Sequence, residues 1–234
     1  MNSKELKRKI KSIPLIGNTY NFFYGDRKAK RIVEQRKKSL QKEGFSIIRS
    51  IENALYNCSV QYFMDYGSLL GMIRDGKFMS YDSDIDYGIY VSDSFTWYDL
   101  ENKLKIAGFK KIRYYTYKGN ITEQTYLKNG ITVDFFMHFD EQNYSKSYVH
   151  FAPKGYHYKN LDMKSIAELR AYKFDGIQKL TISGLTFTAP IEPERYLASI
   201  YTENWRYPDP NWISENGPAW NVLTGEVSRA YTEV

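Results

Sequence analysis

The sequence contains a single cysteine, Cys58, among its 234 residues. One cysteine cannot form a disulfide within the chain, and it cannot supply a zinc site built from several thiolates. The chain also lacks a run of about 18 apolar residues, the length that a membrane-spanning helix requires. Its first residues lack the uninterrupted apolar stretch of a signal peptide, because basic residues are spread through them. We therefore expect a cytoplasmic protein.

The chain is nevertheless rich in groups that build a core and bind ligands. Apolar residues make up 42% of it, which is enough for a sizeable folded core. Tyrosine supplies 22 residues, and each offers a ring for stacking together with a hydroxyl for hydrogen bonding. Trp205, Trp212 and Trp220 could stack on a sugar or a base, although packing within the core and loops is the favoured interpretation.

Charge is distributed unevenly along the chain. Residues 1–42 carry 13 basic and 3 acidic side chains, a net of +10, whereas residues 43–234 carry a net of −4. We interpret residues 1–42 as a basic arm that includes the start of a long helix, and the rest as the catalytic domain. The arm suggests peripheral contact with an anionic membrane at its cytoplasmic face, or merely a solvated helix face. Nucleic acid is not expected as a substrate, because the body of the protein is acidic.

Hydrophobic periodicity and turn residues predict one α/β domain of the α+β kind. A long helix is predicted over residues 27–57, with Pro14 and Gly17 interrupting any helix before it and Gly44 bending or breaking it. Further helices are predicted at 69–74, from a cap at Ser94 to 107, at 165–172 and at 193–201. Strands are predicted at 62–66, 84–91, 109–117, 122–127, 131–139, 148–152 and, as a pair, within 180–188. The segment from Trp205 onward is predicted to be a loop.

The most informative stretch contains three alternating acids, Asp82, Asp84 and Asp86. In an extended chain, residues two apart share a face, so Asp84 and Asp86 project together. Neighbouring carboxylates repel each other unless a cation neutralises them, and oxygen ligands at this spacing suit Mg²⁺ or Mn²⁺. A calcium-binding helix–loop–helix is excluded, because its glycine and its bidentate glutamate are both missing.

Asp134 is the predicted third acid of this site. It lies in the apolar run Val-Asp-Phe-Phe, where a carboxylate is either paired or functional. We predict that Asp84, Asp86 and Asp134 are the catalytic and metal-binding residues, with Asp134 acting as a metal ligand, as the general base, or as both. His138 would share the face of Asp134 on a strand, and a structural or solvent-facing role is predicted for it.

Gly67 and Ser68 form a predicted turn between a strand and a helix. Backbone N–H groups at a helix N-terminus bind phosphate oxygens, and glycine lets the phosphate approach closely. Arg74, further along the same helix, could clamp a phosphate oxygen, or it could form a salt bridge in solvent.

The stretch from Gly67 to Asp86 resembles the LicD/fukutin family of phosphotransferases, within the nucleotidyltransferase superfamily. That family has a Gly-Thr-Leu-Leu-Gly turn, then an Arg, a Gly and an aromatic residue, and then Trp-Asp-Asp-Asp-Ile-Asp. This chain departs from the pattern at Ser68, Tyr81 and Ser83. The loss of an acid at Ser83 spares the metal site, because that side chain would face away from Asp84 and Asp86. With a C-terminal Tyr-Leu…Tyr…Trp…Pro run, the resemblance spans about residues 45–212.

This resemblance implies a nucleotidyltransferase-like mixed sheet with flanking helices. It also implies transfer of phosphocholine or a polyol phosphate from a CDP-activated donor to a hydroxyl of a cell-surface glycan, with release of CMP. Gly67, Ser68, Arg74 and Asp82 would then bind substrate. Two alternatives remain open: a true nucleotidyltransferase that releases pyrophosphate, and a non-catalytic module that binds a membrane or polymer. The presence of Asp84, Asp86 and Asp134 argues against the non-catalytic module.

Overall fold

A computed structural model describes residues 14–56, 58–92, 95–152, 162–209 and 211–233, with the backbone alone for residues 14–29. Within this part of the chain the α-helices are α1 (Pro14–Ala54), α2 (Tyr66–Asp75), α3 (Trp97–Ile106) and α4 (Pro193–Tyr201). The first strands are β1 (Gln61–Met64), β2 (Asp84–Tyr90), β3 (Lys110–Tyr117), β4 (Asn120–Lys128) and β5 (Ile131–Asp140). They are followed by β6 (Tyr144–Phe151), β7 (Met163–Tyr172), β8 (Ile177–Ile182), β9 (Leu185–Pro190), β10 (Trp220–Val222) and β11 (Ser228–Thr232).

The large sheet is mixed, as predicted. Its strands follow the order β1-β2-β5-β4-β3-β11-β7-β10, and β6 pairs with both β5 and β7. Strands β2 and β5 run parallel, whereas the other neighbours in the sheet run antiparallel. Because β6 joins β5 to β7, the strands β5, β4, β3, β11, β7 and β6 close into a six-stranded ring, which the sequence did not predict. Strands β8 and β9 form a separate hairpin.

One face of β2 and β5 carries the hydrophobic core. Ile85, Tyr87 and Ile89 alternate along β2 and are fully buried, together with Val133 and Phe135 of β5. The buried stripe of helix α1 belongs to the same core, and its members are Leu40, Ile47, Ile48, Ile51 and Leu55. The apolar face therefore points towards α1, and alternation along the strands turns Asp84 and Asp86 to the opposite face.

Helix α1 begins earlier than the sequence predicted and is not interrupted. It starts at Pro14 and continues through Gly17 and Gly44 to Ala54. Proline is favoured in the first turn of a helix, where its missing N–H is not needed. A Cβ atom on Gly44 would lie 2.4 Å from the Phe78 ring. Glycine therefore permits close packing at this point instead of breaking the helix.

The predicted helix at 165–172 is wrong, because these residues form strand β7. The strand is paired along its length with β6 and at parts of its length with β10 and β11. A short apolar run does not by itself distinguish a helix from a strand. The secondary structure here is therefore set by pairing with these non-local strands. The predicted loop from Trp205 onward is wrong in part for the same reason, since β10 and β11 lie within it.

The remaining predicted elements are confirmed within a few residues of their predicted ends. The turn at Asn129-Gly130 has φ values of 51° and 79°, as a tight hairpin turn between antiparallel strands requires. Helix α3 is capped by the hydroxyl of Thr96, which accepts a hydrogen bond from the N–H of Asp99. The predicted cap, Ser94, lies outside the described residues. No helix in the described part of the chain is both long and apolar enough to cross a membrane.

Candidate active site

The sequence predicted a turn at Gly67 and Ser68, but both residues lie in the first turn of helix α2, which places them beside the carboxylates. Asp65 follows β1 as the N-cap of α2 and accepts a hydrogen bond of 2.7 Å from the N–H of Tyr66, whose φ of 40° is unusual for a residue other than glycine. Ser68 Oγ accepts a hydrogen bond of 3.0 Å from the N–H of Asp86, which fastens the turn to β2. A Cβ atom on Gly67 would lie 3.7 Å from Asp82 Oδ1 and 3.9 Å from Asp86 Oδ2.

Three predicted site residues lie on one face of two parallel strands. Asp84 and Asp86 are two residues apart on β2, and Asp134 on β5 is the register partner of Asp86. Register partners on neighbouring strands point to the same side, so the three carboxylates share the face opposite the core. Asp134 is only 6% exposed. The parallel pairing thus gathers acids that lie about 50 residues apart in the sequence.

Burial and mutual repulsion make ionisation of these acids unfavourable. Burial, together with the negative charges of Asp84 and Asp134, raises the pKa of Asp86 well above its usual value. Burial and the charge of Asp84 raise the pKa of Asp82 and of Asp134 to about 6 each. Burial also raises the pKa of Asp84. A cation at this face would reverse these shifts, because it favours the charged form of each acid.

Asp134 contacts one side chain from β4 and one from β3. The Thr125 hydroxyl donates a hydrogen bond to Asp134 Oδ1 from β4. The Arg113 guanidinium, on β3, lies 3.9 Å from the same oxygen and donates a 3.2 Å hydrogen bond to Thr125 Oγ1. Arg113 Nε is buried without a hydrogen-bond partner in the described part of the chain. Positive charge from Arg113 and from Arg36 of α1 lowers the pKa of Asp134, against the larger effect of burial.

The donor set of this face is chemically suited to a hard divalent cation, because all its ligands would be carboxylate oxygens. Asp84, Asp86 and Asp134 are the residues that could hold it. As they stand, no three His, Cys, Asp or Glu side chains among the described residues are placed to hold a metal ion together. Binding of one ion by all three carboxylates would therefore require these side chains to move towards one another.

A cavity of about 290 Å³ opens beside the carboxylates. Asp82, Asp86 and Gly67 form part of its wall. Six aromatic side chains form much of the rest, namely Tyr66, Tyr81, Phe136, Tyr201, Trp212 and Trp220. A second cavity of about 200 Å³ shares Leu70, Tyr81, Tyr201 and Trp212 with the first. The acidic face therefore adjoins a space that is large enough for a small ligand.

Arg74 lies in the wall of this second cavity. Its Nε and one terminal nitrogen donate hydrogen bonds of 2.8 to 3.1 Å to the carboxylate of Asp75. The structure thus contains the salt bridge that was the alternative interpretation of Arg74. Its role as a phosphate clamp stays a prediction.

The sequence did not predict a buried hydrogen-bond network around Asp65, the N-cap of α2. His138 is 1% exposed, and its Nε2 lies 2.7 Å from Asp65 Oδ2. The Tyr196 hydroxyl donates to Asp65 Oδ1 at 2.8 Å. His138 is therefore structural and not solvent-facing. Its face on β5 could be read from the sequence, but its partner lies 73 residues away.

Two cations near the acids were also missed. Arg113 and Arg36 lie outside the aspartate motif, and no local sequence signal joins them to it. Arg36 belongs to the segment that the sequence assigned to a basic arm, yet its charge acts on Asp84 and Asp134. Helix α1 thus connects that segment electrostatically with the candidate site.

Part of this chain is similar to a known protein domain. The family model LicD/FKTN/FKRP, nucleotidyltransferase domain, matches residues 59–190, which include all the predicted site residues. Comparison with the curated proteins found no match. Among solved structures, ANT(2″)-Ia in complex with adenylyl-2″-tobramycin is similar at 13% identity and a TM-score of 0.40, over 74% of this chain and 82% of that chain. Because the family model covers more than half of the sequence, this chain belongs to the LicD/FKTN/FKRP family, which is in general a family of transferases.

Proposed function

We propose that this protein is a metal-dependent phosphotransferase. In this proposal it moves phosphocholine or a polyol phosphate from a CDP-linked donor to a hydroxyl of a cell-surface glycan. The observation that carries the proposal is the gathering of Asp84, Asp86 and Asp134 on one face, beside the first turn of α2 at Gly67 and Ser68. A face with several ionisable carboxylates suits a reaction that handles phosphate through a divalent cation.

The transfer exchanges one phosphorus–oxygen bond for another. The acceptor oxygen forms a bond to the phosphorus that bears the head group. The bond from that phosphorus to the bridging oxygen breaks, and CMP leaves with the electron pair. When bound, Mg²⁺ or Mn²⁺ would supply neutralisation of charge on the phosphate oxygens. Asp84 and Asp86 would hold it, and Asp134 would either join them or accept the proton of the acceptor hydroxyl.

The surrounding residues have separate roles in this proposal. The backbone at Gly67 gives the phosphates room to approach, and the Ser68 hydroxyl holds the first turn of α2 against β2. Arg113 would bind a donor phosphate, because its guanidinium lies 3.9 Å from Asp134 and its side chain is partly exposed. Asp82 lies in the wall of the cavity beside the acids and would contact substrate there.

The test is incubation of the full chain with Mg²⁺ and, in separate reactions, CDP-choline, CDP-glycerol, CDP-ribitol and CDP-ethanolamine. We expect CMP from at least one donor when an acceptor glycan is present, and none after chelation of the metal. Mass spectrometry of the modified acceptor should reveal the head group plus phosphate, without a nucleoside. An acceptor that carries the nucleoside, with pyrophosphate released from a nucleoside triphosphate, would instead establish a nucleotidyltransferase.

We extend the proposal to the basic segment at residues 1–42. Its net charge of +10 suits contact with anionic lipid headgroups, which would keep the enzyme close to acceptors at a membrane. Helix α1 joins this segment to the core, because its exposed part precedes its buried stripe beginning at Leu40. This extension is independent of the reaction.

A further inference from the structure

One arginine near the carboxylates has no partner of its own. Arg36 of helix α1 is partly buried. Within the described part of the chain it makes no ion pair and no hydrogen bond. By contrast, Arg74 pairs with Asp75, and Arg229 pairs with Asp162. A guanidinium that is partly withdrawn from water without a partner indicates that an anion binds there.

Helix α1 passes the end of the sheet at which the acidic strands begin. A Cβ atom on Gly130, the residue before β5, would lie 3.7 Å from Ser39 Oγ of α1. Thr132, two residues further along, is the register partner of Asp84. Ser39 therefore lies beside the strand ends that carry the acids, and Arg36 lies one helical turn before it.

The face of α1 that bears Arg36 is the face that packs on the rest of the protein. Arg36, Leu40 and Gly44 are four residues apart, so they form one row along the helix. Leu40 is fully buried, and Gly44 packs against the loop that precedes β2. Gln41 fastens the same loop, because its Nε2 donates a 3.0 Å hydrogen bond to the carbonyl oxygen of Met79. Packing of the helix thus fixes where Arg36 starts.

Arg36 and Arg113 act on the same two acids. Burial raises the pKa of Asp84, and the positive charge of Arg36 is the largest effect that opposes this rise, ahead of Arg113. Burial also raises the pKa of Asp134, and both guanidinium charges oppose it. The acids are therefore close to one positive charge from α1 and to another from β3.

A phosphate group fits this arrangement of charges. A planar guanidinium can donate two parallel hydrogen bonds to phosphate oxygens. Once a cation is bound by the carboxylates, their charge no longer attracts the arginine strongly, which frees it for such a ligand. A nucleoside diphosphate offers oxygens for the bound cation and for a guanidinium at the same time.

We propose that Arg36 is a substrate-binding residue, which helix α1 contributes to the active site and which holds a phosphate oxygen of a nucleoside diphosphate donor. The proposal rests on the proposed function only for the identity of that donor as a CDP derivative. Arg36 exchanges no proton in this role, and its charge balances the charge that develops on the departing CMP. Residue 36 precedes residue 59, where the match to the family model begins, so the assignment depends on the geometry of this chain.

The test is calorimetric titration of the full chain with CDP at saturating Mg²⁺. CDP carries both phosphates but no head group to transfer, so binding is measured without the reaction. Arg36→Gln should weaken CDP binding by about tenfold, and Arg36→Lys, which keeps the charge but not the planar fork, should restore part of the loss. The matched control is Arg31→Gln, which removes the same charge from an exposed position five residues earlier on α1 and should bind CDP as the wild type does.

Three results would overturn the proposal. One is equal CDP affinity in Arg36→Gln and the wild type, and another is an equal loss in Arg31→Gln, because the effect would then come from the overall charge of the helix. The third is a loss of Mg²⁺ affinity that accounts for the loss of CDP binding. Removal of a positive charge near the ligands should instead leave Mg²⁺ affinity unchanged or raise it. Thermal unfolding verifies that each variant is folded.

Titration with UDP and ADP separates this proposal from the proposed function. If either nucleotide binds in a manner that depends on Arg36 and CDP does not, the identity of the donor is wrong and the role of Arg36 stands. If CDP binding depends on Arg36 but no CDP-linked donor yields CMP, phosphate transfer alone is refuted. If none of the three nucleotides binds the wild type, the proposed role of Arg36 is wrong.

Discussion

Asp86 on β2 and Asp134 on β5 are partners in the parallel register, and Asp84 lies two residues before Asp86 on the same face. The three acids therefore repel one another within a largely buried surface. This repulsion adds to burial in raising the pKa of Asp86 and of Asp134. The arrangement disfavours the ionised acids at neutral pH, so it is expected to gain stability from any cation that binds there.

Replacement of Asp84 or Asp86 should lower activity without lowering the stability of the fold. We expect Asp84→Asn or Asp86→Asn to lower turnover by at least about a hundredfold, because a ligand for the cation is lost. The metal-free variant should be as stable as the wild type or more stable, because one repelling charge is gone. Steady-state kinetics and thermal unfolding in a chelator measure the two effects. Asp140→Asn, at the exposed end of β5, is the control. Activity within tenfold of wild type in both Asp84→Asn and Asp86→Asn would refute the metal assignment.

Stabilisation by Mg²⁺ should depend on pH in a defined direction. The folded-state pKa of Asp82 and of Asp134 is about 6, above the value of about 3.9 in an unfolded chain. The metal-free fold should therefore lose stability as the pH rises from about 4 through about 6. Added Mg²⁺ should raise the Tm clearly at pH 7.5 and much less at pH 5, where protons compete for the carboxylates. An equal rise at both pH values, or an undiminished rise in Asp134→Asn, would argue against these ligands.

Arg113 is expected to contribute to donor binding. Arg113→Gln should raise the KM for the CDP-linked donor by about tenfold, because a charge-assisted hydrogen bond contributes about 1.5–3 kcal/mol and part of it is lost. Arg74→Gln tests the residue that the sequence singled out for this role. The control is Arg229→Gln, since Arg229 is on β11 and pairs with Asp162 away from the acids. If Arg74→Gln raises the donor KM and Arg113→Gln does not, the phosphate contact belongs to α2.

Removal of residues 1–26 should weaken binding to vesicles that contain phosphatidylserine but spare turnover on a soluble acceptor. Each basic residue near an anionic surface contributes about 1 kcal/mol to binding. The deletion ends before the buried stripe of α1, which begins at Leu40, so the core is expected to persist. Vesicle sedimentation at two salt concentrations measures the effect. Equal binding of the truncated and full chains would assign the basic segment another role.

His150 should make the fold sensitive to acid. Its two ring nitrogens lie 2.9 Å from Thr122 Oγ1 and 2.7 Å from Ser228 Oγ, and its ring stacks on Tyr115. Burial lowers the pKa of His150 to about 3, below the value of about 6.5 in an unfolded chain. Stability is therefore present above pH 6.5 and is lost as the pH falls towards 3, by at most about 1.4 kcal/mol per pH unit. In His150→Gln, the free energy of unfolding measured in urea should fall less steeply as the pH is lowered. An unchanged pH dependence would exclude the histidine as its source.

The sequence by itself determined most of the local structure and the acidic motif. The alternation of Asp84 and Asp86 on a strand and the helix at 193–201 both follow from local rules, because hydrophobic period and helix signals act between near neighbours. The predicted turn at Gly67 and Ser68 is instead the first turn of α2. The resemblance to a known family rests on this same stretch. Asp134 was predicted because a charge in an apolar run needs a function or a partner.

Only the tertiary structure decided how distant segments combine. Strand β7 looked helical because its short apolar run fits either period, and its pairing with β6 and β10 is non-local. The bond between Asp65 and His138, and the approach of Arg113 to Asp134, join residues whose separation leaves no trace in sequence periodicity. The aromatic cavity exists because the closing strands bring Trp220 to the carboxylate face. Register and sheet closure are set by the whole set of strands at once, so no single stretch of the sequence encodes them.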